Sequence, residues 1–165
     1  MENEVKRVNF TSFLEKSRTD LGESFSAFFF LLHTLNRGYH SKMMKIAQEL
    51  DLSVGQPNVL VYLNRKGTAT QRDICNFMQV RPATMTDVLQ RMEKAGLVLR
   101  KRSEEDQRKI YVSLTAKGEK KSVEFLKKEM LLEKEVFHGF TNQEKLDFLQ
   151  YFVKITKNMN GGNTF

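Results

Sequence analysis

Hydrophobic residues recur every three or four positions over residues 23–50, which is the repeat of an α-helix with an apolar face. Phe30 and Leu31 lie off this stripe, so the predicted helix is apolar on more than one side and needs cover on more than one side. A chain of 165 residues has little core with which to surround such a helix. The pattern therefore predicts that a second subunit covers it. The stripe itself consists of Phe25, Phe28, Phe29, Leu32, Leu35, Tyr39, Met43, Ile46, Ala47 and Leu50.

Three shorter helices are predicted downstream, and their ends are marked by proline, glycine and a cap residue. The last two, from Thr70 to Met78 and from Pro82 to Ala95, are joined by a tight turn. Two short helices in this order are typical of a helix-turn-helix, in which the second helix enters the major groove of DNA. The first of the three begins at Pro57 and stops near Gly67.

The helix from Pro82 to Ala95 has two different faces. The apolar positions Met85, Val88, Leu89 and Met92 repeat at three and four and are expected in the core. The other face has small and hydrogen-bonding side chains, which allow a helix to approach base edges closely. An amide such as that of Gln90 pairs with adenine in a bidentate manner. The residues of this second face are Ala83, Thr84, Thr86, Asp87, Gln90, Arg91 and Lys94.

Two aliphatic runs, at 97–99 and 110–114, enclose a mostly charged segment, which is the pattern of a β-hairpin with a charged tip. A hairpin that directly follows a helix-turn-helix is predicted to be a wing. Arg108 near the tip is expected to enter a minor groove, where a narrow A·T tract concentrates negative potential. A hairpin that is merely solvated is the alternative explanation of its charges. The basic residues are Arg100, Lys101, Arg102, Arg108 and Lys109.

Residues 115–165 predict two further helices with broad apolar faces, which we assign to an assembly surface. Thr115 caps the first, which ends at Gly139, and Thr141 with Glu144 forms a capping box for the second. The sequence thus predicts a mainly α fold with a small β-hairpin. We expect an N-terminal extension and first dimerisation helix over 1–54, a winged helix-turn-helix domain over 55–114, and C-terminal dimerisation helices with a tail over 115–165.

The formal net charge of +7 and a pI of about 9.5 favour a polyanionic partner, most often nucleic acid. With Cys75 alone no intrachain disulfide can form. No signal peptide or membrane-spanning stretch is recognisable, so a cytoplasmic protein without membrane contact is expected. Cys75 has no Lys or His beside it that would lower its pKa, which favours burial as a small hydrophobe over redox sensing.

Other chemistry has little support in the sequence. His33 and His40 are two helical turns apart, too far to share one ion, and neither they nor His138 stand in a cluster of ligands. No catalytic triad, phosphate-binding glycine loop or paired carboxylates are recognisable. We therefore expect no metal, no cofactor and no catalytic residue.

The stretch RMEKAGLVLRKRSEEDQRKIYVSLTAKG, residues 91–118, resembles the core of the MarR family of winged-helix transcription regulators. The resemblance extends over GQPNVLVYL, TQRDICNFM and RPATMTDVLQ to about residues 55–120, and its most specific element is DQR at 106–108. It implies a homodimer, built from the first and last helices, that binds a palindromic operator in double-stranded DNA. Such regulators usually repress and are released by a small molecule or by oxidation. The resemblance further implies that Asp106 orders the wing by pairing with a basic side chain and that Arg108 contacts the minor groove.

The expected DNA-binding residues lie on the recognition helix, on the wing and at the start of each helix of the pair. This set is Gln71, Arg81, Ala83, Thr84, Thr86, Asp87, Gln90, Arg91, Arg102, Asp106, Arg108 and Lys109. Many members of the family have Arg where this chain has Asp87, and an acidic or small polar residue where it has Arg81, so the base preference cannot be copied. A protein-interaction module without specific DNA binding is the alternative, favoured by Asp87 and the acidic run at 104–106.

An effector pocket is also expected, since the family often has one between its dimer helices and the winged domain, and pockets are apolar with a few polar groups. A small apolar or aromatic molecule would suit it. For each lining residue, a place in the dimer core is the alternative. The expected lining is Phe29, His33, Tyr39, Met43 and Tyr62.

Overall fold

The computed structural model describes residues 21–161, with side chains from residue 28 onward. The fold is mainly helical with one small sheet, which confirms the predicted class. The N-terminal extension predicted through residue 20 lies outside the described residues. The elements follow in the order α1 (Leu21–Glu49), α2 (Gln56–Lys66), β1 (Thr68–Thr70), α3 (Gln71–Met78), α4 (Pro82–Lys94), β2 (Val98–Arg102), β3 (Ile110–Leu114), α5 (Ala116–Val136) and α6 (Asn142–Met159).

The chain divides into two units, one up to Asp51 and one from Leu52 onward. The first unit contains α1, whose large apolar side chains are exposed on several sides. Within it the rings of Phe28 and Phe29 meet edge to face, with centroids 5.2 Å apart. The helix is therefore apolar around much of its circumference, as the pattern of positions predicts. The finer division into segments 1–54, 55–114 and 115–165 stays a prediction.

In the second unit, local signals fix the helix ends where the sequence predicts them. Pro57 lies in the first turn of α2, and Gly67, with a φ of 77°, ends it. The Thr70 hydroxyl accepts a hydrogen bond from the Asp73 N–H, and the Asp73 carboxylate accepts one from the Thr70 N–H. This capping box starts α3, and the bonds from Thr70 lower the pKa of Asp73. Gln79, with a φ of 52°, ends α3 in the left-handed region.

The sheet has three antiparallel strands in the order β1-β3-β2. The hairpin of β2 and β3 is the predicted one, with Arg100 opposite Val112. The short strand β1 was not predicted; it pairs with the free edge of β3, so that Ala69 lies opposite Val112 and both are buried. The hairpin is thereby bound to the helical domain through its second strand.

The core of the second unit gathers one face from each element. All of the apolar positions predicted for α4, namely Met85, Val88, Leu89 and Met92, are buried. Helix α5 adds Phe125 and the buried Ser122, whose hydroxyl donates to the Leu60 carbonyl at 3.3 Å. Burial of one face of α4 leaves its opposite face at the surface. The largest fully buried side chains are Phe125, Leu60, Leu63, Ile74, Met85, Leu89, Met92, Val59, Val98 and Val112.

The last two helices begin at the predicted caps. Thr115 accepts a hydrogen bond from the Gly118 N–H to start α5, and Thr141 with Glu144 forms the capping box of α6. The hydrogen bonds from Thr141 lower the pKa of Glu144. No residue of α6 is buried in the chain as described, although the rings of Phe148 and Phe152 stack at 5.7 Å. A helix so apolar and so uncovered has the surface expected of an assembly contact.

None of the described helices is long and apolar enough to cross a membrane.

Candidate nucleic-acid interface

Helix α4 presents its second face to the outside. Ala83, Thr84, Asp87, Gln90 and Arg91 are all exposed, whereas the residues between them form the buried face. The exposed groups are short or hydrogen-bonding, and most are uncharged. Such a face fits close contact with base edges better than contact with phosphates alone.

The charges on and around α4 are unevenly placed. Arg81, at the N-cap, and Lys94, in the last turn, are exposed. Arg91 turns its Nε toward the Asp87 carbonyl, to which it donates at 3.3 Å. The negative Asp87 thus lies midway along the helix, with positive side chains toward both ends. This arrangement suits an approach in which the helix ends meet phosphates and the middle meets bases.

The wing tip is a closed turn. The Ser103 N–H donates to the Lys109 carbonyl at 3.0 Å, and the Lys109 N–H donates to the Asp106 carbonyl at 2.8 Å. The Asp106 carboxylate accepts two bonds from Arg108, from its backbone N–H and from its Nε, each at 3.1 Å. These bonds lower the pKa of Asp106.

The basic partner of Asp106 is therefore the residue two positions on. Asp106 holds the Nε edge of the Arg108 guanidinium, yet the Arg108 side chain remains 91% exposed. A guanidinium held at one edge and open to solvent elsewhere is suited to reaching into a groove.

The other charges of the wing are exposed too. Lys101 pairs with Glu104 at 3.5 Å, and both side chains are more than four-fifths exposed. Exposed pairs of this kind contribute little to stability. Arg102 and Lys109 are exposed, and both are placed for a long-range contribution to anion binding.

Arg100 differs from the other basic residues of the hairpin. Its side chain is only 15% exposed and lies against the helix pair. Its Nη1 donates to the Glu93 carboxylate at 3.3 Å, and its Nη2 donates to the Gln71 carbonyl oxygen at 3.4 Å. Sequence reasoning grouped Arg100 with the solvated tip. The alternation of strand β2 carries the missed signal, since Val98, two residues earlier, lies on the buried face.

Two of the predicted DNA-binding residues belong to the same network. The Gln71 amide nitrogen donates to the Thr86 hydroxyl at 2.8 Å, and that hydroxyl donates to the Pro82 carbonyl at 2.9 Å. Gln71 and Thr86 are accordingly half-buried, as is Asp106 on the wing, whereas the rest of the predicted set is exposed.

The residues expected to line an effector pocket are divided between the two units. Phe29, His33, Tyr39 and Met43 lie on α1 in the first unit, and Tyr62 lies on α2 in the second. Their gathering into one pocket stays a prediction.

The second unit has a cleft of about 310 Å³, bordered by α2, α3 and α5. Its wall includes Phe77, whose ring lies 4.5 Å from that of Tyr62, and the half-buried Glu129. Burial raises the pKa of Glu129. The full lining is Asn58, Val61, Phe77, Met78, Phe125 and Glu129.

Cys75 is buried, as predicted, and burial raises the pKa of its thiol. In the part of the chain that the structure describes, no three His, Cys, Asp or Glu side chains are grouped so that they would hold a metal ion.

The family model of the MarR family matches residues 52–110, which include α2 through the wing. The uncharacterized HTH-type transcriptional regulator YwoH of Bacillus subtilis (strain 168) is 30% identical over 125 residues, or 74% of this chain and 90% of YwoH. The similar regulator YfiV of the same organism is 42% identical over 72 residues, but these cover only 44% of this chain and 45% of YfiV.

Among solved structures, a mutant MarR from E. coli complexed with operator DNA superimposes with a TM-score of 0.69. It is 22% identical, and the match covers 84% of this chain and 99% of that one. At this identity the likeness establishes the fold.

Proposed function

Because the chain belongs to the MarR family, we propose that it is a transcription regulator that binds a palindromic operator in double-stranded DNA as a homodimer. One observation carries the proposal: the exposed polar face of α4 stands beside a hairpin whose Arg108 is held by Asp106 and still 91% exposed. A helix for the major groove and an arginine for the minor groove are the two parts that winged-helix readers of DNA need. The net charge of +7 supports the same partner.

The two surfaces would have different tasks. Ala83, Thr84, Asp87 and Gln90 would meet base edges, because their side chains are short or hydrogen-bonding and exposed. The basic set of Arg81, Arg91, Arg102 and Lys109, together with Arg108, would supply the salt-dependent attraction to the backbone.

Dimerisation would place two copies of α4 on one face of the duplex, about 34 Å apart, so that they read half-sites one helical turn apart. The exposed apolar faces of α1 and α6 support this assembly, since a monomer rarely leaves such surfaces uncovered. We propose further that the protein acts in the cytoplasm, where its operator lies, and represses until a small apolar or aromatic effector binds. The relatives named above are HTH-type transcriptional regulators, which supports this function over a protein-interaction module.

The experiment is a fluorescence-anisotropy titration with the duplex upstream of the protein's own gene and a scrambled duplex, each at two salt concentrations. Wild type should bind the native duplex more tightly and lose affinity steeply with salt. Arg108→Ala should weaken binding and lower the salt slope by about one charge. Arg65→Ala, which removes an exposed arginine at the end of α2, is the matched control.

Equal and weak binding of wild type to both duplexes would contradict specific DNA binding. Wild-type affinity and slope in Arg108→Ala, with wild type itself specific, would contradict only the role of the wing.

A further inference from the structure

Arg100 is a guanidinium removed from solvent at the junction of three elements. It lies on the wing strand β2, and its two terminal nitrogens donate hydrogen bonds to Glu93 on α4 and to Gln71 on α3. Burying a charge is costly unless it is paired and hydrogen-bonded. The two terminal nitrogens of Arg100 have partners, whereas its Nε is buried without a hydrogen-bond partner in the described part of the chain. The two bonds of the terminal nitrogens therefore offset part of this cost, and only in the arrangement that keeps the three elements together. The planar fork of arginine adds direction, because its donors point to fixed places.

The contact with Gln71 continues along a chain of hydrogen bonds. Arg100 donates to the Gln71 oxygen, the Gln71 nitrogen donates to Thr86, and Thr86 donates to the carbonyl of Pro82. Every donor in this series points the same way, and bonds in such a series strengthen one another. The series starts on the wing strand and ends at the first residue of α4.

Arg100 is therefore linked to the recognition helix near both of its ends, directly through Glu93 and by way of Gln71 through Thr86. Glu93 lies in the last part of α4, and Thr86 and Pro82 lie in its first turns. The strand that holds Arg100 runs on into the tip with Asp106 and Arg108. Besides the pairing of β1 with β3, the wing is thus held to the recognition helix by one side chain that is only 15% exposed.

We propose that Arg100 is a positioning residue that locks the wing to the recognition helix, so that major-groove and minor-groove contacts form together. Gln71 and Thr86 transmit this lock and do not read bases. The inference rests on the proposed DNA-binding function and specifies how its two surfaces act as one.

The test uses full-length Arg100→Lys, which retains the charge and loses the fork, in the anisotropy assay above. Affinity for the native duplex should fall about tenfold, the scale of one lost hydrogen bond to a charged group. Binding to the scrambled duplex should change little, because the number of charges is kept. Arg65→Lys makes the same substitution at an exposed site and should behave as wild type.

A double-mutant cycle separates positioning from a general loss of stability. If Arg100 positions the wing, Arg108→Ala should reduce the affinity for the native duplex less in the Arg100→Lys background than in wild type, since a loose wing contributes less to binding. The combined loss should therefore be smaller than the product of the single losses by about threefold or more. Gln71→Met has nearly the same size but lacks the amide. Combined with Arg108→Ala, it should likewise lose less affinity than the product of the two single losses. If circular dichroism shows that Arg100→Lys does not fold, the cycle with Gln71→Met alone tests the lock.

The outcomes are distinct. The lock is overturned if the affinity losses of Arg100→Lys and Arg108→Ala multiply in the double variant, or if Arg100→Lys binds with wild-type affinity. In either case, specific binding by wild type leaves the proposed function standing. A parallel loss on both duplexes would make Arg100 a contact to the DNA backbone and also overturn the lock. If wild type does not prefer the native duplex, the proposed function itself fails.

Discussion

Gly118, the third residue of α5, offers a sharp test of how this helix joins the winged domain. A Cβ added there would lie 2.0 Å from the carbonyl oxygen of Leu97, 3.0 Å from its carbonyl carbon and 3.3 Å from Cδ2 of Leu114. The oxygen has little freedom to retreat, because it accepts the Thr115 N–H at 3.1 Å. Gly118→Ala therefore forces a methyl group against backbone.

The neighbouring carbonyls are held in the same way, so relaxation by a shift of the whole turn is also costly. The Gly96 carbonyl accepts the Thr115 hydroxyl at 2.6 Å, and the Ala95 carbonyl accepts the Lys117 ammonium at 2.8 Å. This turn follows the recognition helix directly. A displaced α5 would consequently disturb the end of α4.

The magnitude follows from two opposing terms. Ordinary overpacking costs about 1–3 kcal/mol, and contact with fixed backbone places Gly118→Ala at or above the upper end. Replacing glycine by alanine inside a helix returns at most about 1 kcal/mol. We expect a net loss of about 2–3 kcal/mol, a large part of the roughly 5–15 kcal/mol that stabilises a typical domain.

Urea unfolding followed by circular dichroism measures this loss, with all proteins at one protomer concentration because the proposed dimerisation would contribute to stability. The midpoint should fall and the slope should not change. Gly38→Ala is the matched control: it lies within α1, its Cβ would meet nothing within 4 Å, and it should stabilise by up to about 1 kcal/mol. A Gly118→Ala protein as stable as wild type would refute the close approach of α5 to Leu97.

Two further predictions concern buried ionisable groups. Burial raises the pKa of Glu129 above its ordinary 4.5, so the folded chain binds this proton more tightly than the unfolded chain does. Ionisation of Glu129 therefore destabilises the folded state as the pH rises above 4.5. Glu129→Gln should therefore raise the melting temperature at pH 7, and the gain should vanish below pH 4.5 in a thermal series; no gain at pH 7 would contradict this. Burial also raises the pKa of Cys75, so a chromogenic disulfide reagent at pH 8 should react slowly with the native protein and fast in urea. Rapid reaction of native protein would show that the thiol is accessible.

The elements that could be predicted from the sequence are those whose causes are local. A capping box such as that of Thr70 and Asp73 spans three residues, and its form is visible in the sequence itself. The wing pair of Asp106 and Arg108 is equally local, since the two are separated by one residue, but the resemblance implied only a basic partner for Asp106 and did not name it. Likewise, the buried face of α4 follows from helical spacing alone.

What was missed depends on partners far along the chain. Strand β1 has three residues, too few to show alternation, and it exists only because β3 offers an edge more than forty residues later. Arg100 donates to Gln71, which lies 29 residues earlier in the sequence, and no hydrophobic periodicity predicts which residues so far apart come into contact. The cleft beside Glu129 is formed by three helices and needs their packing to be known.

Asp87 bears on the sequence that the recognition helix would select. A carboxylate only accepts hydrogen bonds, and in the major groove the amino group of cytosine is the donor that Asp and Glu meet. Near phosphates the same charge is repelled, so Asp87 disfavours loose, sequence-independent contact along the duplex. The positive charges at the helix ends and on the wing would then attract the DNA backbone, while Asp87 in the middle of the helix would disfavour binding to sequences that offer it no hydrogen-bond donor. If α4 enters the major groove as we propose, Asp87→Asn should relax the preference for cytosine at one position of each half-site and strengthen binding to scrambled DNA, which the anisotropy assay measures directly. Tighter binding to the scrambled duplex without any change in base preference would mean that Asp87 faces phosphates and reads no base.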